Sequence, residues 1–174
     1  NHDVGLMVLA NPVSLRYAVD WREYALFQAH IPTYYLFVDA GGRTILHGAY
    51  AEDHHTVDEF RAASYVNVFD GGLDVEGQAS VFAQQVLDEA GAGVRVAVER
   101  LGPDAHRALQ RLGMDVIDAE PLVERARSGK SSEEIVCMRH AIAVAEAAMS
   151  AMYEAMRPGM TENELFAILH QTNI

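Results

Sequence analysis

Acids and imidazoles crowd together at one place in this 174-residue chain, Glu52-Asp53-His54-His55. Imidazole nitrogens and carboxylate oxygens ligate divalent metals, and both groups move protons. Adjacent histidines project in different directions on a strand or a helix, so His54 and His55 are not expected to share a site. The four residues also precede a predicted helix over Thr56–Ala63, where acids favour the positive end of the helix dipole. A solvated helix start is the expectation for them. His140 and His170 stand alone on later helices; the first is expected to be partly exposed, the second to pack or hydrogen-bond. Gly41-Gly42 and Gly71-Gly72 lack the strand-to-helix G-x-G-x-x-G context and read as turns, not phosphate cradles. The single cysteine, Cys137, permits no intrachain disulfide and no multi-cysteine zinc site. Its place beside the apolar stripe of a long helix predicts a small buried thiol.

The elements that would position these residues are legible from hydrophobic period. Six short apolar runs bounded by turn residues read as strands: Val4–Ala10, Tyr34–Ala40, Thr44–Gly48, Tyr65–Asp70, Val94–Glu99 and Asp115–Ala119. Gly41-Gly42 joins the second and third as an antiparallel hairpin, because both residues tolerate positive φ. Val75, Ala79, Phe82 and Val86 recur at helical spacing, with Gly91 as the stop. Pro103 opens a short helix that Gly113 ends, and Pro121–Arg127 reads as one more. Helices so few and short do not cover a fully parallel sheet, so the expected fold class is α/β, a six-stranded mixed sheet with flanking helices.

From Lys130 onward the pattern turns purely helical. Ser131 followed by Glu134 forms a capping box, each side chain satisfying an orphan amide of the other. Apolar residues at Ile135, Met138, Ile142, Ala145, Met149, Met152 and Met156 make one stripe along a helix of about seven turns. Met at helical spacing commonly fills gaps in a core, so this stripe is expected to be buried. Pro158-Gly159 stops the helix, and Thr161 with Glu164 repeats the cap before a second helix. Two helices are not a domain, and they are expected to begin one that is completed beyond Ile174. Ser128-Gly129-Lys130-Ser131 reads as the linker, dividing residues 1–127 from 132–174.

Half the residues are hydrophobic, enough for a true core. Net charge is −12, from 25 acidic and 13 basic residues, and no basic stripe offers itself to phosphate. A nucleic-acid partner is therefore not expected. No apolar run is read as approaching the ~20 residues of a membrane span, and no signal segment opens the chain. A cytoplasmic protein without membrane contact is the expectation.

The runs KSSEEIVCMRHA (Lys130–Ala141) and RPGMTENEL (Arg157–Leu165) resemble the start of the catalytic domain in the pita-bread metallohydrolase family. That family includes prolidase, aminopeptidase P, creatinase and some dimethylsulfoniopropionate lyases. NPVSLRYAVDW (Asn11–Trp21) is similar to the segment after the first strand of creatinase-like N-terminal domains. Ala18-Val19-Asp20 stands where Leu-Thr-Gly is usual, a departure that bears on prolidase-type substrate handling.

The resemblance implies a creatinase-like N-terminal domain at 1–127 and the N-terminal helices of a pita-bread α+β domain at 132–174. It implies a parent enzyme with two divalent metals (Mn, Zn or Co), held by two Asp, one His and two Glu beyond this chain. No catalytic residue or metal ligand is assigned within the chain, which alone is expected to be inactive. The leading activity implied is hydrolysis of an Xaa-Pro dipeptide or short peptide by a metal-activated water attacking the amide carbon. An alternative is a creatinase- or dimethylsulfoniopropionate-lyase-like enzyme acting on a small zwitterion, motivated by the altered Leu-Thr-Gly and the aromatic stretch Trp21–Phe27. A further alternative is a metal-free binding module of the same fold. In such proteins the N-terminal domain reaches a neighbouring subunit's active site, which makes Trp21, Arg22 and Tyr24 the substrate-pocket candidates and a homodimer the expected assembly. There Trp21 would pack over the substrate, and Arg22 or Tyr24 would hold a carboxylate. The other reading of Trp21 is a cap on the domain core or a dimer contact.

Overall fold

The computed structural model describes residues 3–22, 25–48, 56–64 and 66–173. Glu52–His55 and Tyr24 fall outside the described residues. The chain divides into two compact units, Asn1–Ala126 and Arg127–Ile174.

The first unit is a six-stranded sheet of β1 (Leu6–Leu9), β2 (Tyr35–Asp39), β3 (Thr44–Gly48), β4 (Glu59–Ala62), β5 (Arg95–Val98) and β6 (Asp115–Asp118). The order is β4-β3-β2-β1-β5-β6. β2 pairs antiparallel with β1 and β3, and every other pairing is parallel, so β2 alone runs against the rest. The β2–β3 hairpin turns at Gly41-Gly42, where Gly42 has φ +89°.

Strand alternation sends apolar side chains to both faces. Leu6, Val8, Tyr35, Phe37, Ile45, Val96 and Val98 meet α4 (Val75–Ala90) and α5 (Pro103–Arg111) through Phe82, Val86 and Leu109. Leu9, Leu36, Leu46 and Ala97 face α1 (Pro12–Val19) and α6 (Glu120–Ser128) through Leu15, Val19, Trp21 and Val123. The Asp74 side chain caps α4, accepting from the Gly77 amide at 3.0 Å, and Gly91 ends it at φ +82°.

Two expected elements exchange places. The predicted helix over Thr56–Ala63 is instead the edge strand β4, and the predicted strand Tyr65–Asp70 instead contains the short helix α3 (Val68–Gly71). β4 escapes an apolar-alternation reading because charges occupy one of its faces. Glu59 pairs with Arg43 at 2.5 Å and with Arg61 at 2.5 Å, and Arg61 pairs with Glu89 of α4. A charged edge of this kind also discourages pairing with another chain. α3 forms because Asn67 turns its carboxamide onto the Asp70 amide at 2.9 Å, ending the extended run. α1 and α2 (Ala25–His30) have no counterpart among the predicted elements.

The second unit is a helical pair, α7 (Ser132–Ala155) and α8 (Glu162–Asn173). Both caps form as expected. Ser131 N–H donates to Glu134 at 2.7 Å and Glu134 N–H to Ser131 Oγ at 3.2 Å. Thr161 and Glu164 repeat the exchange at 2.7 and 3.3 Å. The expected buried stripe is not buried. Met138 is 48% exposed, Ile142 55% and Met149 65%, while Ala148 is fully covered. The covered face of α7 is that of Ala148, Ala151, Met152 and Ala155, so Met149 and Met156 stay exposed although they lie near the turn. A 12-residue α8, at about 1.5 Å per residue, leaves the first half of a 24-residue α7 uncovered. Cys137, expected as a buried thiol, is exposed for the same reason. α7 is also long and apolar enough to cross a membrane by length and composition, with a window of mean hydropathy 1.4, where sequence reading saw no such run. A spanning placement would carry Arg139 and Glu146 with it, and an Arg at the centre of a spanning helix costs about 3 kcal/mol on insertion scales.

Candidate functional site

The pocket candidates Trp21 and Arg22 lie on the excursion between β1 and β2, which leaves the sheet at the carboxyl end of β1. In open α/β sheets that end, at the point where strand order reverses, is where ligands collect. Here the reversal falls between β1 and β5. Asn11 caps α1, its side chain accepting from the Val13 amide at 3.1 Å, and Pro12 supplies the preset first turn.

The crevice at the reversal is filled by the chain itself. Glu99, 2% exposed at the end of β5, accepts from Ala10 N–H at 3.1 Å, Asn11 N–H at 2.7 Å and Ser14 Oγ at 2.7 Å. A carboxylate thus occupies the N-terminal end of α1, the position that dinucleotide-binding sheets leave to a phosphate. Nucleotide binding at this point is closed off, in keeping with the missing glycine fingerprint.

α1 ends at Asp20, which takes the left-handed conformation at φ +53° and donates its amide to Arg16 C=O at 2.9 Å. Asx residues tolerate that conformation better than most. The turn brings Arg22 back onto Asp20 as a fork, Nε to Oδ1 at 3.0 Å and Nη2 to Oδ2 at 2.7 Å. The Arg22 hydrogen bonds hold the Asp20 carboxyl below the ordinary carboxylate range, and Asp20 in turn raises Arg22. Both side chains are exposed, at 53% and 63%.

Trp21, between them, points the other way. It is 2% exposed, a member of the core that includes Leu15, Val19 and Leu36, and its ring lies 5.1 Å from that of Tyr34 at 51°. Its indole N–H is buried and has no hydrogen-bond partner among the described residues. The structure therefore brings Arg22 to the surface and Trp21 to the interior. His140 lies exposed on α7, and His170 is also exposed, edge-on to Phe166 at 4.6 Å.

Two residues that organise this region carried no local sequence signal. Glu99 is one and Gln28 the other: its partners are Ala10, Thr33 and Tyr34. A second crevice, of about 380 Å3 at the carboxyl ends of β5 and β6, is lined by Arg100, His106, Asp118 and Glu120 among others. Among the described residues no three His, Cys, Asp or Glu side chains come together in a way that could hold a metal ion. The resemblance implies that the ligands of the dinuclear centre lie outside this chain.

A mixed sheet with one reversed strand, followed by a capped helix pair, is the fold of the N-terminal part of the pita-bread enzymes, and this chain shares that fold. No family model matches the chain. Among curated proteins it is 30% identical over 188 residues to the dimethylsulfoniopropionate lyase DddP of Roseovarius nubinhibens, covering 100% of this chain and 42% of the relative. It is 32% identical to the protein of the same name from Roseobacter denitrificans, covering 97% of this chain and 41% of the relative. The chain spans about two fifths of the length of these curated relatives. Among solved structures it superposes on a dipeptidase from Pyrococcus horikoshii (TM-score 0.69, 19% identity, 97% of this chain and 45% of the other). An Xaa-Pro dipeptidase from Bacillus anthracis gives TM-score 0.67 at 19% identity, over 98% of this chain and 44% of the other. An X-Pro aminopeptidase from Thermotoga maritima gives TM-score 0.62 at 21% identity, over 98% of this chain and 46% of the other. Both activities that the sequence suggested, peptidase and sulfonium lyase, occur among these proteins.

Proposed function

We propose that this chain is the N-terminal part of a metal-dependent pita-bread enzyme that acts on a small zwitterion, dimethylsulfoniopropionate or a compound of the same charge pattern. One observation carries the preference over peptides. The two lyases are 30% and 32% identical to essentially the whole chain, whereas the peptidases, at 19–21%, share its fold.

In this reading residues 1–127 are the N-terminal domain, 128–131 the linker and 132–174 the first helices of the catalytic domain. The parent is a cytoplasmic homodimer, and its two divalent metals are held by residues outside this chain. The Arg22–Asp20 pair presents one charge of each sign, the complement of a carboxylate and a sulfonium in one small molecule. Arg22 or Tyr24 bears on the substrate carboxylate in a neighbouring subunit's pocket, and the buried Trp21 is the fixed base beside Arg22. The test is the full-length protein assayed on dimethylsulfoniopropionate, creatine and an Xaa-Pro dipeptide side by side, with Arg22→Ala as a variant. Turnover of the sulfonium, with KM raised in the variant, supports the proposal. Turnover of the dipeptide alone rejects it in favour of the peptidase reading, which the solved structures motivate.

A further inference from the structure

Ala10 follows strand β1 directly, and both its backbone groups are taken by side chains rather than by a neighbouring strand. Its N–H donates to Glu99 at 3.1 Å, and its C=O accepts from Gln28 Nε2 at 2.8 Å. Gln28 lies 18 residues further along the chain, so this bond closes the excursion that carries α1, Asp20, Trp21 and Arg22.

Gln28 is 1% exposed, and its carboxamide is fully used. Nε2 also donates to Tyr34 C=O at 2.8 Å. Oε1 accepts from Thr33 N–H at 2.8 Å, Thr33 Oγ1 at 3.1 Å and Tyr34 N–H at 3.1 Å. The backbone of Tyr34, the residue on which Trp21 rests, is thus held at both its N–H and its C=O by one side chain. A carboxamide alone combines two donors and an acceptor at one end of an uncharged chain. Glutamate would set a carboxylate against two carbonyl oxygens, and methionine would leave all of these groups unpaired.

We propose that Gln28 is a positioning residue: by tying Ala10 to Thr33 and Tyr34 it sets the seat of Trp21, and through it the presentation of Arg22 to substrate. The first half of this statement stands on the geometry alone. The second rests on the reading of Trp21–Tyr24 as part of a substrate pocket.

The 174-residue chain has a single tryptophan, so its fluorescence reports Trp21 without interference. The expected result for Gln28→Met is emission shifted to longer wavelength and increased acrylamide quenching, with far-UV circular dichroism and a cooperative melt retained. A folded Gln28→Met protein with unchanged emission overturns the proposal. If that variant does not fold, Gln28→Glu decides. Its emission should be red-shifted at pH 8 and return toward the parent's on acidification, as the protonated carboxyl regains a donor. Emission like the parent's at pH 8, or loss of folding in both variants, also overturns the proposal, the latter because Gln28 would then serve the fold as a whole. In the full-length protein Gln28→Met should raise KM for dimethylsulfoniopropionate roughly tenfold, about the worth of one hydrogen bond, with kcat little changed. A fluorescence shift without any KM effect leaves the seat in place and rejects the pocket reading.

Discussion

Acidification should weaken the first unit well above the pH at which its carboxylates titrate, and His47 is the reason. His47 lies on β3, 2% exposed, its ring 4.4 Å from that of Phe37. Among the described residues neither ring nitrogen has a hydrogen-bond partner. Burial pushes its pKa from 6.5 down to about 4, helped by the Arg61 guanidinium. The Ala62 backbone, which approaches without completing a hydrogen bond, and the carboxylates of Glu89 and Glu59 pull weakly the other way. The unfolded chain therefore takes up this proton before the folded chain does. The stability His47 contributes is complete above about pH 6.5, declines as pH falls toward about 4, and is lost below that. At about 1.4 kcal/mol per pH unit the interval is worth about 3 kcal/mol, a large share of the 5–15 kcal/mol that typically holds a domain together. Asp20, Asp58 and Glu59 also have lowered pKa values, but their contribution is lost only at pH below the ordinary carboxylate range. Urea unfolding followed by Trp21 fluorescence, which reports the unit containing His47, gives the measurement at pH 7.5, 5.5 and 4.5. His47→Leu should flatten the curve across this window and leave stability at pH 7.5 equal or higher, because it removes two unpaired buried polar atoms. Parallel curves for the two proteins between pH 6.5 and 4 would refute the reasoning.

Other perturbations have readable outcomes. Glu99→Ala strands two backbone amides and the Ser14 hydroxyl, and should lower the urea-derived stability of the first unit by about 3 kcal/mol. Ser131→Ala removes the hydroxyl of the α7 capping box and should cost about 1 kcal/mol, visible as earlier loss of helical circular dichroism on heating. Ile142→Lys and Met149→Lys replace exposed apolar side chains. They should change stability by no more than about 0.5 kcal/mol, while lowering light scattering from concentrated solutions of this chain.

What could be read in the sequence divides along a physical line. Several features whose environment is set by near neighbours match the structure. The Gly41-Gly42 hairpin and the Ser131–Glu134 and Thr161–Glu164 caps are examples. The signal for α1 was also local, Asn11 as cap followed by Pro12, and was passed over. β4 differs from the predicted helix because Glu59 and Arg61 find partners far along the chain, at Arg43 in the β2–β3 turn and at Glu89 on α4, which turns an unlikely sequence into a strand. Glu99 reaches groups 85 to 89 residues away, so no window of sequence shows it. Periodicity identifies which α7 residues share a face, but it carries no information on which face α8 covers or how far along α7 it reaches.

The most direct test of the account is the product released by the full-length protein from dimethylsulfoniopropionate, set against hydrolysis of an Xaa-Pro dipeptide under the same conditions. Release of dimethyl sulfide with little peptide cleavage is the expected result. Efficient cleavage of the dipeptide with no dimethyl sulfide would contradict it, and inactivity on both, with divalent metal supplied, would point instead to a binding module of the same fold.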